Sequence, residues 1–367
     1  MKRSAIWGGG LALAVLAAAA AWSGWRAQTA GFPGRHWDRT APETAGFSAA
    51  KLAEFSRQAG GGGCLVQGGK MIYAWGDVTN RHDVASSCKP VYAFLVFKAI
   101  EEGRLASLDE PVAKFMPALA DLNPELEHKD RAITFRHLLA QTSGYGLAEK
   151  PGAAFAYNDY GTGLLVWTVL HEVYHSPWKQ FDEVLRAPRL GQTIGFEDLP
   201  DLNSSQSHLG RLRMSVRDQA RFALVYLRGG RWRGQRVLRA DLLADALGGV
   251  LPPDFPRTAG FESRTLKKPG SIGGGKNLKN HLGCLGHFWW HNNPTPDGAP
   301  LLPDAPPGTF LGAGYGGRFA MVVVPEWDMV AVWQDVYKNE NWSPFSEVGR
   351  FKVNELLREL LAARTVP

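Results

Sequence analysis

The apolar residues at the two ends of the chain are spaced as strands with flanking helices. Ser48 is a typical N-cap residue, and Phe47 and Leu52 around it form a hydrophobic staple, so a helix is predicted to begin there. Apolar positions predict strands at 64–66, 71–74, 285–291, 319–324 and 329–333. A glycine turn joins the first two strands into a hairpin, and a last amphipathic helix is predicted over 346–361.

The middle of the chain has helical spacing instead. Helices are predicted over 90–105, 133–139, 162–175 and 216–227. Residues 252–281 are rich in Gly, Lys and Pro without periodicity and are predicted to form a surface loop. This order predicts an α/β (α+β) fold: an antiparallel sheet built from 45–85 and 281–367, with a mainly helical domain of residues 86–280 inserted between them.

The N-terminus has the pattern of an export segment. Lys2 and Arg3 precede an apolar run from Ala5 to Trp22, so residues 1–30 are predicted to be a signal peptide or an uncleaved N-terminal anchor. Either alternative places the rest of the protein outside the cytoplasmic membrane. We therefore expect a periplasmic or secreted protein whose only membrane contact is such an anchor.

Charge and cysteine content exclude several classes of function. The net charge of +6 on 367 residues is too small to indicate nucleic-acid binding. The three cysteines allow at most one internal disulfide, and their spacing is not that of metal ligands: Cys64, Cys88 and Cys284. No residue pattern points to a cofactor.

Three Ser-x-x-Lys pairs occur in the chain, and their context selects one: Ser48/Lys51, Ser86/Lys89 and Ser176/Lys179. Ser48 is explained as a helix cap, and Ser176 precedes Pro177 at a helix end. Ser86 opens a long apolar helix, and at i and i+3 its side chain shares one face with Lys89. Burial is expected to lower the Lys89 pKa, so that the neutral amine takes the serine proton.

Further segments along the chain match a known pattern. They are Ser-Ser-Cys-Lys-Pro at 86–90, Ile-Thr-Phe-Arg-His-Leu-Leu at 133–139, Gln-Thr-Ser-Gly at 141–144, the run at 151–159 ending in Tyr-Asn-Asp, Leu-Arg-Met-Ser-Val-Arg-Asp at 212–218, Gly-Ala-Gly-Tyr-Gly-Gly at 312–317 and Val-Pro-Glu at 324–326. Over nearly all of residues 45–360 the chain resembles the serine β-lactamase-related family, which includes class C β-lactamases, penicillin-binding-protein-like D-aminopeptidases and esterases.

The resemblance assigns roles to single residues. It implies a nucleophile at Ser86, a general base at Lys89, and a proton shuttle to the leaving group at Tyr157. Asp159 stands where the family usually has Asn, and its negative charge would favour a protonated Lys89. The protonation scheme therefore stays open.

The third motif of the family is altered. Gly312, Ala313 and Gly314 stand where the family has Lys-Thr-Gly or His-x-Gly. That cation helps to hold substrate carboxylates, so its absence favours neutral esters or amides over β-lactams. By resemblance, the backbone N–H of Tyr315 pairs with that of Ser86 as an oxyanion hole, while the alternative for this stretch is a simple tight turn.

Residues 171–175 read His-Glu-Val-Tyr-His, which fits a zinc-peptidase signature. No third ligand is evident, so we expect His171 and His175 to cap a helix end and expect no metal site.

The favoured hypothesis is an exported serine hydrolase that cleaves an ester or amide bond of a small or peptide-like substrate through an acyl-enzyme at Ser86. A β-lactamase, a D-amino-acid peptidase and a catalytically impaired ligand-binding relative are the alternatives.

Overall fold

A computed structural model describes residues 31–202, 210–260, 262–263, 265–266, 282–337 and 353–365. The predicted export segment 1–30, most of the predicted loop 252–281 and the first part of the last predicted helix lie outside these residues. The chain from Phe32 onward is one compact unit by its internal contacts. The division into a sheet domain and an inserted helical domain stays a prediction.

The described residues contain eleven strands, and six of them form the central sheet. The strands are β1 (Gly62–Gln67), β2 (Lys70–Trp75), β3 (His82–Asp83), β4 (Asp201–Leu202), β5 (Leu212–Met214), β6 (Arg231–Trp232), β7 (Gln235–Arg236), β8 (Trp290–His291), β9 (Phe310–Gly314), β10 (Phe319–Val324) and β11 (Met329–Gln334). The central sheet is antiparallel in the order β2-β1-β11-β10-β9-β8. The prediction of an antiparallel sheet assembled from both ends of the chain is confirmed.

Nine α-helices lie among the described residues. They are α1 (Ala49–Ala59), α2 (Lys89–Glu101), α3 (Phe135–Leu139), α4 (Asp159–Trp167), α5 (Phe181–Arg186), α6 (Gly191–Ile194), α7 (Val216–Leu227), α8 (Ala240–Ala246) and α9 (Val353–Leu361). Helices α1 and α9 pack together, whereas α7 packs on β1, β10 and β11.

The sheet is apolar on both faces because helices cover both. Leu65, Val322 and Ala331 share a buried cluster with Leu52 of α1 and Leu356 of α9. Side chains alternate along a strand, so their neighbours in β1, β10 and β11 point to the opposite face, where α7 packs. This double cover explains why β10 reads as a continuous apolar run.

The first Ser-x-x-Lys pair has a structural role. The Ser48 hydroxyl accepts the Lys51 N–H at 3.3 Å and so caps α1, as predicted. The Lys51 Nζ donates to the Ala362 carbonyl at 3.0 Å, just after α9. The pair therefore joins the first and last helices.

Two predicted elements differ from the structure. The predicted helix 162–175 begins earlier, as α4, and continues from Thr168 to Val173 as a π-helix. The predicted strand 285–291 is paired in the sheet only at Trp290–His291. Phe288 interrupts it, because its φ of 68° lies in the left-handed region, which is incompatible with extended backbone.

The three cysteines are buried as free thiols. Within the part of the chain that the structure describes, no helix has the length and hydropathy needed to cross a membrane.

Candidate active site

Ser86 lies in a single 3₁₀ turn, Ala85–Cys88, that leads directly into α2. Asp83 holds this turn, because its Oδ1 accepts the N–H of Ala85 at 2.9 Å. Ala85 itself has a φ of 48°, an uncommon conformation for a residue with a side chain. The turn leaves Ser86 partly exposed while Ser87, Cys88 and the start of α2 are buried.

A buried chain of hydrogen bonds fixes the turn to the sheet. The Ser87 hydroxyl donates to the Gly312 carbonyl of β9 at 3.2 Å and accepts from Gln219 of α7 at 3.0 Å. Gln334 of β11 donates to Gln219 at 2.7 Å and to the Met214 carbonyl at 3.0 Å. No sequence pattern predicts these hydrogen bonds, because their members are single polar residues far apart in the sequence.

Lys89 connects the nucleophile to a carboxylate. Its Nζ lies 2.9 Å from Ser86 Oγ and 2.8 Å from Asp159 Oδ1. The lysine side chain is only 6% exposed, whereas that of Asp159 is 57% exposed. The structure therefore brings three of the predicted site residues together in one line of contacts.

The expectation that burial would leave Lys89 neutral is wrong. Burial does act to lower the Lys89 pKa, but the negative charge of Asp159 and the contact with Tyr157 outweigh it, so that the pKa is raised above its ordinary value. Lys89 is therefore an ammonium group at neutral pH in the resting site. The sequence feature that predicts this protonation state is the Asp at position 159 in place of the family's Asn.

Tyr157 lies against the same ammonium group. The Lys89 Nζ is 4.5 Å from the centroid of its ring. Burial raises the pKa of the Tyr157 phenol, and the contacts with Lys89 and Ser86 offset that effect only in part. The ring also stacks on Trp290 of β8, with centroids 6.4 Å apart and an interplanar angle of 17°. Sequence reasoning missed Trp290, which was visible only as one apolar residue in a predicted strand.

Hydrogen bonds to the Gln-Thr-Ser-Gly motif and to the residue that follows it hold the Tyr157–Asp159 segment in place. The Gln141 side chain accepts the Asn158 N–H at 2.6 Å, and Asn158 Nδ2 donates to the Tyr145 carbonyl at 2.7 Å. Asn158 also caps α4, so Asp159 is the first residue of that helix. A carboxylate is favoured at this end of the helix dipole.

The end of β9 packs against the nucleophile turn. A Cβ added at Gly314 would lie 2.6 Å from the Val84 carbonyl oxygen and 3.0 Å from Ser86 N, so only glycine fits. The backbone that continues into Tyr315 therefore leaves Gly314 close to Ser86, and the oxyanion hole of Ser86 and Tyr315 stays a prediction. Tyr315 itself is 59% exposed. Ala313, between the two glycines, is buried in the core of the sheet.

Gly312 has no free space in the direction of a side chain. A Cβ at this position would lie 2.8 Å from Cε of Met321 and 3.0 Å from Cγ of Pro90. The cation of the family's third motif therefore cannot be restored here without moving its neighbours. Arg318, which directly precedes β10, is bound to Asp335. Its Nε and one terminal nitrogen donate to Asp335 Oδ1 at 3.0 and 2.6 Å.

The His-Glu-x-x-His segment does not form a zinc motif. His171 lies in the π-helix Thr168–Val173 and stacks on Trp167, with ring centroids 4.6 Å apart. His175 follows the helix end with a φ of 53°. In the described ranges, no cluster of three His, Cys, Asp or Glu side chains is suited to hold a metal ion.

Two other histidines are shielded from solvent, His287 fully and His291 in part. Burial lowers the pKa of His287 and of His291 to about 4, so both are neutral at physiological pH. The thiol next to the nucleophile is equally unreactive, because burial raises the pKa of Cys88 to about 12.

Solved structures with the same fold cover most of the chain. A β-lactamase from Mycobacterium bovis (Mb2281c) is 20% identical, with a TM-score of 0.56 over 86% of this chain and 100% of its own. A penicillin-binding protein homologue from Caulobacter crescentus is 13% identical, with a TM-score of 0.59 over 88% and 98% of the two chains. A class C β-lactamase is 14% identical, with a TM-score of 0.53 over 86% and 93%. No curated protein sequence matches the chain.

These neighbours share the fold of the chain, and the family whose model matches it indicates a serine hydrolase of the β-lactamase type. The chain belongs to the beta-lactamase family, whose model matches residues 49–333 and thus most of the sequence.

Proposed function

We propose that this protein hydrolyses an ester or amide bond through an acyl-enzyme on Ser86. The observation that carries the proposal is the contact of 2.9 Å between Lys89 Nζ and Ser86 Oγ, at a turn packed against the end of β9. Ser86 and the lysine that relays its proton to Asp159 are within hydrogen-bonding distance, which is the geometry that covalent catalysis by serine needs.

The protonated state of Lys89 determines the route of the proton. Ser86 Oγ attacks the carbonyl carbon while its proton moves to Lys89 Nζ, and Lys89 passes one of its own protons to Asp159 Oδ1, so that the lysine keeps its charge. The backbone N–H groups of Ser86 and Tyr315 stabilise the oxyanion.

Collapse of the tetrahedral intermediate expels the alcohol or amine, which takes a proton through Tyr157 from the Lys89–Asp159 pair. The products of this half-reaction are the ester on Ser86 and a neutral leaving group. Water then attacks the acyl-enzyme, and its proton follows the same route to Asp159. When the acid leaves, that proton returns through Lys89 to Ser86 Oγ, so that Ser86 and the Asp159 carboxylate are both regenerated.

We also propose that the protein acts in the periplasm or as a secreted protein. The basis is the sequence alone: Lys2 and Arg3 followed by the apolar run from Ala5 to Trp22. The intact mass of the protein recovered from a bacterial host, together with fractionation, distinguishes a cleaved signal peptide from an anchor. Recovery of the full-length chain in the cytosol would contradict export.

Covalent labelling tests the choice of nucleophile. We expect a fluorophosphonate probe to label Ser86, identified by peptide mapping, and the wild-type protein to hydrolyse p-nitrophenyl butyrate. Ser86→Ala should abolish both labelling and hydrolysis, whereas Ser48→Ala and Ser176→Ala should keep both. Labelling of a different serine, or full hydrolysis by Ser86→Ala, would overturn the proposal.

A further inference from the structure

We propose that the β6–β7 hairpin binds the surface of a membrane that contains anionic phospholipids, and that Arg231, Arg233 and Arg236 make the contact. The inference does not depend on the proposed hydrolysis, because this surface lies at the other end of α2 from the nucleophile turn. It follows from the charge of the hairpin and from the way it holds the residues that come after the predicted export segment.

The hairpin belongs to a stretch of unbalanced positive charge. Residues 228–239 contain five arginines and no acidic residue. Arg231 of β6 and Arg236 of β7 lie opposite each other in the register of the hairpin, and like charges in that arrangement are destabilising. Arg233 is in the two-residue turn between the strands, and all three arginines are exposed. Anions bound at this surface would relieve the repulsion.

The carboxylates beside this stretch already have partners. Asp328 is paired with Arg228, Asp241 with Arg239 at 2.7 Å, and Glu101 with Lys98 at 2.5 Å. Arg236 reaches only Glu101, with its Nε at 3.5 Å, and its side chain is still 64% exposed. Among the residues that the structure describes, Arg231 and Arg233 have no ion pair. Their charge is therefore available to an external ligand.

The same hairpin holds the start of the described chain. Phe32 packs edge to face on Trp232, with ring centroids 5.4 Å apart. Arg221 of α7 donates to the carbonyls of Gly34 and Arg35, at 3.1 and 3.0 Å. These contacts fix the residues that directly follow the predicted export segment. If that segment is an uncleaved anchor, it tethers the protein through residues that are bound to this hairpin.

An anionic lipid surface is the partner that fits these features. Basic clusters close to a membrane segment are attracted to anionic headgroups, and they add a second attachment to the hydrophobic one. The only aromatic residue of the hairpin, Trp232, is 3% exposed, so it is not free to enter the acyl region. The contact is therefore with headgroups, through the arginine side chains.

A membrane bound at the hairpin leaves the nucleophile accessible. Lys98 Nζ, in the last turn of α2, donates to the Val237 carbonyl at 2.9 Å, and Arg236 contacts Glu101 at the end of the same helix. Ser86 lies in the turn that precedes the other end of α2. The helix has 13 residues, and at about 1.5 Å per residue its two ends are about 20 Å apart.

A fluorophore on the hairpin tests the contact in the full-length protein. Gln235→Cys places an exposed thiol there for an NBD label, whereas the three native thiols are buried and their pKa values are raised to about 12, so they react poorly. Gln58→Cys is the matched control, because it is an exposed glutamine on α1, which covers the opposite face of the sheet from α7. The measured quantity is the quenching of NBD by a lipid with a spin label near its headgroup.

The lipid composition should control this quenching. We expect the label at position 235 to be quenched in vesicles of phosphatidylcholine with phosphatidylglycerol, and much less in phosphatidylcholine alone. The label at position 58 should not distinguish the two. NaCl at about 1 M should abolish the difference, because the Debye length is then about 3 Å.

Charge removal should assign the contact to the arginines. Arg231→Gln with Arg233→Gln should lower the equilibrium constant for hairpin binding about 25-fold, since each basic residue near an anionic surface contributes about fivefold. Lys51→Gln with Arg57→Gln removes the same charge from α1 and should have little effect. Fluorophosphonate should label Ser86 at the same rate with and without vesicles, and slower labelling on vesicles would contradict the proposed orientation.

Equal quenching of the hairpin label in both lipid compositions would refute the inference, as would undiminished quenching in the double arginine variant. If that variant does not fold, the lipid and salt comparisons with the native arginines decide. Binding of polyphosphate at the hairpin label without contact to anionic vesicles would assign the surface to a soluble polyanion and exclude the membrane. None of these results bears on hydrolysis, which the NBD signal does not require, and an inactive protein would still give the quenching result.

Discussion

Asp159→Asn is the substitution that examines the proton route most directly. It removes one negative charge at 2.8 Å from Lys89 Nζ and keeps the size and hydrogen-bonding shape of the side chain. It also restores the residue that the related family usually has at this position. The consequence should be a change in how the reaction rate depends on pH.

The direction follows from the balance of effects on Lys89. Burial lowers the Lys89 pKa, and the Asp159 charge, then the contact with Tyr157, raise it to a net value above the ordinary one. Without that charge, burial dominates and the pKa falls. An opposite charge at this distance moves a pKa by about one to three units, and the exposure of Asp159 favours the lower part of that range.

The assay is kcat/KM for p-nitrophenyl butyrate between pH 6 and 9.5, corrected for spontaneous hydrolysis. The wild-type rate should be nearly constant from pH 7 to 9, because Lys89 stays protonated and the proton is passed to Asp159. In Asp159→Asn no such acceptor exists, so Lys89 must itself be neutral. Below its new pKa the variant should therefore lose about tenfold in rate for each pH unit.

Superimposable pH profiles for wild type and Asp159→Asn would refute the reasoning, because they would show that the Asp159 charge does not control the base. A variant more active than the wild type at pH 6 would equally contradict a route through Asp159. Asp241→Asn, which removes a charge outside the site, serves as the control for general electrostatic effects and should keep the wild-type profile.

Two further substitutions examine the parts of the site that position the reacting groups. Trp290→Leu should lower kcat about tenfold and shift the pH profile, because Tyr157 loses its stacking partner, whereas Trp289→Leu, in the core against α7, should lower the melting temperature without shifting the profile. If both variants change kcat and the pH profile equally, Trp290 does not position Tyr157 and has only a structural role. Gly314→Ala should slow fluorophosphonate labelling about tenfold or more, because the methyl group would press on the nucleophile turn; Gly34→Ala, which has only one neighbour at 3.9 Å, should not, and rapid labelling of Gly314→Ala would contradict the close contact.

The sequence was informative wherever local spacing decides the outcome. The predicted helix at 216–227 matches α7, and the i, i+3 spacing of Ser86 and Lys89 gives a contact of 2.9 Å. The hairpins of β1 with β2 and of β10 with β11 also follow from short apolar runs separated by turns. These features depend on neighbours in the chain, so one sequence contains the signal.

The properties of the site that arise from distant contacts were harder to predict. The protonation of Lys89 depends on Asp159, 70 residues away, and on the balance of burial against that one charge. The stacking of Trp290 on Tyr157 depends on how an edge strand of two residues pairs with β9. The end of the π-helix at Val173, which leaves His175 outside the helix with a φ of 53°, is likewise not shown by helical spacing.

The choice between ester and β-lactam is the remaining consequence of the altered third motif. A β-lactam carries a carboxylate, and a charge-assisted hydrogen bond to a lysine or histidine on this strand is worth about 1.5–3 kcal/mol. Losing that bond should cost about one to two decades in kcat/KM. Arg318 does not compensate for it, since its guanidinium group is bound to Asp335.

We therefore expect the wild-type protein to hydrolyse p-nitrophenyl butyrate readily and a chromogenic cephalosporin slowly or not at all. Gly312→Lys should not restore the β-lactamase activity, because a Cβ at this position would lie 3.0 Å from the Pro90 ring and 3.2 Å from the Ser87 carbonyl oxygen, so the neighbours of the nucleophile must move to admit it. The melting temperature of Gly312→Lys tests this explanation. Steric crowding should lower it, whereas a purely electrostatic effect of the new charge should leave it nearly unchanged. Cephalosporin turnover by the wild type at rates similar to those for the ester would show that another group holds the carboxylate, and the reasoning from Gly312 would then be wrong.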